Sequence, residues 1–248
     1  MQLYPYIHCA KGHSVMKDIL LKLSGEAFGG DDAIFNRDTI SSYAAAIKAG
    51  LACRSHIYVV CGGGNVCRGR AFGGKVLADY AGMLASVQNA LFLTISLEEL
   101  GVKTNVVIPD NFTLPKCCHE SEIDADAKVV IYAGGVGEPG HSTDYVCAVK
   151  SLEHSCDIYF AKFGCDGVYD RDPNDKETGH LAVFYPEVSF ARIEAEGLKV
   201  IDLEAAQLLQ KPAADGELCR GYIFALTAEN IAAMLCGEAD GLHKTELI

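Results

Sequence analysis

Ile57-Tyr58-Val59-Val60-Cys61-Gly62-Gly63-Gly64-Asn65 is an unbroken apolar run that stops on three glycines. A strand without polar alternation is buried on both faces, which is the habit of parallel sheets covered by helices. Working outward, the same kind of run recurs. Ile19-Leu20-Leu21, followed by Leu23, ends at Ser24-Gly25. Val106-Val107-Ile108, Val129 to Ala133, Ile158 to Ala161 and Tyr222 to Leu226 add four more strands. Segments with helical spacing lie between them. Asp38 to Lys48 puts Ile40, Ala44 and Ile47 on one face and stops at Gly50. Val76 to Leu100, Thr143 to Glu153, Leu203 to Gln210 and Ala228 to Leu235 are read as helices on the same ground. Alternating strands and helices predict an α/β fold around a mostly parallel sheet, with ligands at the carboxyl ends of the strands.

At 248 residues the chain is long enough for a sizeable core. No low-complexity linker or internal repeat divides it. No uninterrupted apolar run reaches the length that spans a bilayer, and no secretory leader pattern is visible at the start. The formal net charge of −12 disfavours nucleic acid and anionic membrane surfaces as partners. An anionic substrate therefore needs a local cationic pocket. Of the eleven cysteines, Cys61, Cys147, Cys156, Cys219 and Cys236 sit inside apolar segments, where a free thiol behaves as a small hydrophobe. An odd count in a long chain with no leader predicts free thiols and a cytoplasmic location.

Three strand ends carry glycine loops: Ser24-Gly25, Gly62-Gly63-Gly64-Asn65 and Gly134-Gly135-Val136-Gly137. Glycine lets backbone N–H groups approach an anion closely, and a following helix N-terminus adds a favourable dipole. The loops fit neither the P-loop nor the dinucleotide pattern. Lys22 lies inside an apolar strand end, where an unpaired charge is costly to bury. Arg68, Arg70, Lys75 and Lys162 also lie near loops. Asp144 is read either as a site carboxylate or as a helix cap after Ser142-Thr143, and Asp172-Pro173 as site or turn. Composition and spacing alone stop at an α/β protein that binds a phosphorylated ligand.

Longer motifs carry the reading further. Lys22-Leu23-Ser24-Gly25-Glu26-Ala27, Gly62-Gly63-Gly64-Asn65 with Arg68-Gly69, and Asp79-Tyr80-Ala81-Gly82-Met83-Leu84-Ala85 resemble the bacterial-type uridylate kinases of the amino-acid kinase superfamily. So do Pro139-Gly140-His141-Ser142-Thr143-Asp144, Asp166 to Pro173 and Leu198-Lys199-Val200-Ile201-Asp202. They run in the family's order from about Met16 to Ile248. The resemblance implies a three-layer αβα sandwich and transfer of a phosphoryl group from ATP to UMP. It implies a single domain over residues 16–248, with an acceptor lobe to about 153 and an ATP lobe from about 154, and residues 1–15 as an N-terminal extension.

By the same resemblance, Lys22, Leu23, Ser24, Gly25, Gly64, Arg68, Lys162, Phe163, Tyr169 and Asp172 are expected to bind ATP. Gly63, Lys75, Asp79, Val136, Gly137, Glu138, Pro139, Gly140, His141, Ser142 and Thr143 are expected to hold UMP. Lys22, Arg68, Asp144 and Asp202 are the expected catalytic set, with Asp202 organising the catalytic lysine. Mg²⁺ is expected to arrive with ATP, with no protein ligands. A homo-oligomer is implied, commonly a hexamer in the family. Four places depart from the family pattern: Lys75 stands for arginine, Phe163 for Thr or Asn, Pro139-Gly140-His141 for an asparagine-proline-aromatic-aromatic stretch, and the stretch between Glu26 and Asp38 is shorter than usual. Alternatives are a superfamily kinase with another small acceptor, or a non-catalytic nucleotide-binding or storage protein.

Overall fold

The computed structural model describes residues 16–29, 33–67 and 72–248. The apolar runs become strands β1 (Ile19–Leu23), β2 (Ile57–Cys61), β3 (Thr104–Val107), β4 (Val129–Tyr132), β5 (Asp157–Lys162) and β9 (Gly221–Ala225). These six lie parallel in the order β3-β4-β2-β1-β5-β9. The sheet is completed by β10 (Lys244–Leu247), antiparallel to β9, and by β8 (Glu187–Val188), parallel to β10. A two-stranded ribbon, β6 (Val168–Tyr169) with β7 (Phe184–Tyr185), stands apart from it.

The register is set by burial. Every residue of β1 is buried, because β1 sits mid-sheet with helices above and below. One face packs Ile19, Leu21 and Leu23 under helices α1 (Arg37–Gly50), α2 (Val76–Glu99) and α6 (Ala228–Cys236). The other face packs Leu20, Val60 and Ile158 under α3 (Thr143–His154), α4 (Phe190–Glu196) and α5 (Leu203–Leu209). The result is the αβα sandwich with a mostly parallel central sheet.

The short elements escaped the sequence reading. A two-residue strand carries no period, and β10 puts Lys244 and Glu246 at alternate half-exposed positions, which hides its buried partners. α2 corrects another expectation. By length and composition it is apolar enough to cross a bilayer, yet half of its most apolar window is buried inside the fold. It is long and only interrupted by small and polar residues, which a search for one unbroken apolar run passes over. Among the described residues nine cysteines are free thiols, including all five read as core residues. Cys53 departs from that reading and is disulfide-bonded.

Candidate active site

The site is built where β1, β2, β4 and β5 end. Lys22 comes up mid-sheet at the end of β1, level with Val60 of β2 and Phe160 of β5. It is 8% exposed, so its ammonium needs partners. They are Asp144 Oδ1 at 3.2 Å and the Ser24 hydroxyl at 3.3 Å. Lys162, at the end of β5, approaches the other carboxylate oxygen, Asp144 Oδ2, at 3.4 Å and also donates to the Val200 carbonyl.

Asp144 stands in the first turn of α3, a helix capped by the Ser142 hydroxyl accepting from Tyr145 N–H. The favourable N-terminal dipole and two lysines therefore meet one carboxylate. Burial pushes Asp144 up, but the attraction of Lys22 and Lys162 outweighs it and pulls the carboxyl down to about 2. For Lys22, burial is the largest influence and favours the neutral amine, but the attraction of Asp144, with Cys147 and Glu26 added, reverses it, so its pKa rises. For Lys162 burial wins, with repulsion from Lys22 added, and its pKa falls. Asp144 Oδ1 is buried and accepts no well-aligned hydrogen bond among the described residues. Its contact with Lys22 is an ion pair only.

Glycine loops close round this cluster. A Cβ on Gly25 would lie 2.0 Å from Gly64 N, and one on Gly63 would lie 2.3 Å from the Gly82 carbonyl oxygen. The first two loops thus touch backbone to backbone, and the second touches α2, at distances only glycine permits. The β2 turn is pinned from below by Asn89, fully buried on α2, which donates to the Gly62 carbonyl at 2.6 Å and exchanges hydrogen bonds with Asn65. Ser86, one helical turn earlier, accepts from Gly134 N–H at 2.8 Å and so anchors the third loop. That loop runs on to Gly140, whose N–H donates to Asp79 Oδ2 at 3.2 Å.

These residues enclose a cleft of about 450 Å³ lined by Lys22, Ser24, Gly25, Gly62 to Gly64, Asp79, Gly135 and Glu138 to Thr143. A larger cleft of about 950 Å³ opens at the opposite edge, beside Lys17, Asp157 and Arg220, and holds none of the motifs. Within the third loop Gly137 is buried and Val136 half-buried.

Several expected residues fall elsewhere. Leu23 is buried in the core and contributes only its backbone, its carbonyl accepting from Gly62 N–H at 2.9 Å. Lys75 is exposed just before α2 and does not line the cleft. Phe163 is 70% exposed beyond Lys162. Tyr169 stands on the separate ribbon with its hydroxyl 3.0 Å from Asp166 and 3.1 Å from His243, and the Asp172 carboxylate accepts from Asn174 N–H in a turn. Arg68 and Arg70 lie outside the described residues. The Asp202 side chain caps α5 by accepting from Glu204 N–H, while its own N–H donates to Asp144 at 3.3 Å. The carboxylate between the lysines is thus Asp144, not Asp202. Ser86, Asn89 and Glu26, which also lines the cleft, were missed as site residues. Polar residues spaced three apart on an otherwise apolar helix were the available signal for the first two.

The amino acid kinase family model matches residues 17–219 of this chain. The chain belongs to the amino acid kinase family. Within that family, the uridylate kinase of Erythrobacter litoralis is 36% identical over 238 residues, covering 90% of this chain and 94% of that protein. The crystal structure of UMP kinase from Ureaplasma parvum superposes with a TM-score of 0.78 at 27% identity, covering 93% of this chain and 98% of that one. The UMP kinase from Bacillus anthracis gives a TM-score of 0.77 at 26% identity, with 93% and 95% covered. The amino acid kinase fold therefore accounts for the sheet order, and the likeness extends over nearly the whole length of these relatives.

Proposed function

We propose that this chain is a UMP kinase, transferring the terminal phosphoryl group of ATP to UMP to give UDP and ADP in pyrimidine nucleotide biosynthesis. Membership of the family and the near full-length likeness to uridylate and UMP kinases support the reaction. The single observation that carries the chemistry is the convergence of Lys22 and Lys162 on buried Asp144, between glycine loops. In an acidic molecule this is where positive charge is gathered and held.

The acceptor is a phosphate oxyanion, so the reaction needs no strong general base. Positioning and charge neutralisation suffice. Lys22 neutralises the transferred group from the floor of the cleft, Lys162 does so from the β5 side, and Asp144 keeps both ammonium groups aimed. Arg68, following the second loop, is assigned to the phosphates by resemblance. The backbone N–H groups of Ser24, Gly25 and Gly64 cradle ATP phosphates. Gly63, Asp79 and residues 136–143 hold UMP, and Lys75 is assigned to UMP by resemblance alone. Phe163, Tyr169 and Asp172 take the adenine side.

Mg²⁺ would accompany ATP and supply charge neutralisation at its phosphates, beside Lys22 and Lys162. Asp144 is committed to two lysines, and among the described residues no group of three or more His, Cys, Asp or Glu side chains is placed to hold an ion. The acceptor lobe is the β1 to α3 half and the ATP lobe the β5 to β10 half, joined along the β1–β5 pair into one domain over residues 16–248. A homo-oligomer, with a hexamer as the family form, is supported by Leu77, Leu84 and Ile95, large apolar side chains more than half exposed on one side of α2. The nine free thiols among the described residues support a cytoplasmic setting, and the disulfide at Cys53 runs against it.

The test is a coupled ADP-release assay offering UMP, CMP, dUMP and AMP in parallel. UMP is expected to give the highest kcat/KM. No turnover with UMP, or a preference for AMP, overturns the reading.

A further inference from the structure

The tip of the third glycine loop is held by two polar tethers and one ring stack. Gly140 has a φ of +94°, and a Cβ there would meet nothing within 4 Å. Gly137, three residues earlier, has a φ of +88°. Such a segment has no apolar anchor at its tip, so its few hydrogen bonds decide where it rests. On one side Gly140 N–H donates to Asp79 on α2. On the other, the His141 ring stacks on Tyr145, with centroids 4.4 Å apart and planes inclined 21°, and its Nδ1 lies 3.3 Å from Glu204 Oε2.

Glu204 belongs to a short segment that reaches the site three times. The Val200 carbonyl accepts from Lys162, Asp202 N–H donates to Asp144, and Glu204 meets His141. The first two contacts bear on the lysine cluster. The third is the one that reaches the loop tip.

We propose that Glu204 is a positioning residue for the acceptor nucleotide. Through His141 it draws the 136–143 loop toward α5, so that the tip is pinned from both rims of the cleft, by Asp79 and by Glu204. The assignment rests on the reading that this loop wraps UMP. Glu204 touches neither the transferred group nor the lysines. Its removal therefore weakens capture of the acceptor and leaves ATP binding alone.

The experiment measures steady-state KM for UMP and for ATP, and kcat, in wild type, Glu204→Ala, Glu204→Gln, His141→Phe, the Glu204→Ala/His141→Phe double variant and Asp79→Ala. Losing one partly exposed charge-assisted hydrogen bond should raise UMP KM about five- to tenfold, with ATP KM and kcat within about twofold. Glu204→Gln, which keeps an acceptor oxygen, should stay near wild type. The double variant should be no worse than the weaker single variant, since both break one contact. His141→Phe keeps the ring on Tyr145, removes the donor without altering the first turn of α5, and so carries the test if Glu204→Ala folds poorly. If UMP KM is unchanged in both Glu204→Ala and His141→Phe while Asp79→Ala raises it, the latch is overturned and the acceptor reading stands. If Asp79→Ala also leaves UMP KM unchanged, the acceptor reading fails and the latch with it. An equal rise in ATP KM overturns the latch by showing that the segment serves the lysine cluster instead.

Discussion

At the scale of single residues, the site depends on one carboxylate between two ammonium groups. Replacing Lys22 by Ala should lower kcat about 100- to 1000-fold, the usual range for a lost charge-stabilising group. Asp144 would keep Lys162, so the Tm should move by only a few degrees, as thermal unfolding would show. Asp144→Asn should be costlier to the fold, by about 3 kcal/mol, because it strands two buried cations. The acid behaviour follows with a definite sign. Asp144 titrates near 2 in the fold against an ordinary 3.8, so its stabilisation is complete above about pH 4 and fades as pH falls toward 2. The stability gap between wild type and Asp144→Asn should shrink over that window in urea unfolding curves. Lys22 was legible in the sequence, because a charge inside an apolar strand demands a partner. Asp144 was ambiguous, since a carboxylate after Ser-Thr has the same spelling whether it caps a helix or serves a site. The structure shows that Ser142 does the capping, which frees Asp144 to face the lysines.

At the scale of elements, the strands and their helices were legible because burial writes itself into apolar runs and 3.6-residue spacing. The contacts between loops were not, since nothing local says which glycine will face which. Gly25 and Gly64 lie far apart in sequence, yet a methyl group on one would strike the backbone of the other. Gly25→Ala should therefore force the first two loops apart and cut kcat/KM at least 100-fold, measured in the same coupled assay. Ser142→Ala removes the cap of α3 and should cost about 1 kcal/mol. Because α3 carries Asp144, that variant should also lose some activity, unlike loss of the Thr227 cap on α6, which lies on the other face of the sheet. The placement of Tyr169 and Asp172 was least legible. Tyr169 and Asp172 sit on a ribbon and a turn too short to leave a pattern.

At the scale of the whole molecule, α2 has two jobs. Its inner side pins two glycine loops through Ser86 and Asn89, while its outer side exposes Leu77, Leu84 and Ile95. Leu84→Glu should lower the mass seen by light scattering after size exclusion if copies associate through that side, with little change in Tm. An unchanged mass would place any interface elsewhere. The sheet order carries a different consequence. β1 is made first yet lies between β2 and β5, with Ile19 level with Ile57 on one side and with Asp157 on the other. A nascent chain therefore emerges with a strand that is buried along its whole length in the fold able to find β2 early but obliged to wait for β5. Until then one long edge of β1 stays open to any passing strand. Birth on the ribosome is thus the moment of greatest danger for this enzyme, and a chain released before β5 is translated should be found in inclusion bodies or on chaperones rather than in solution.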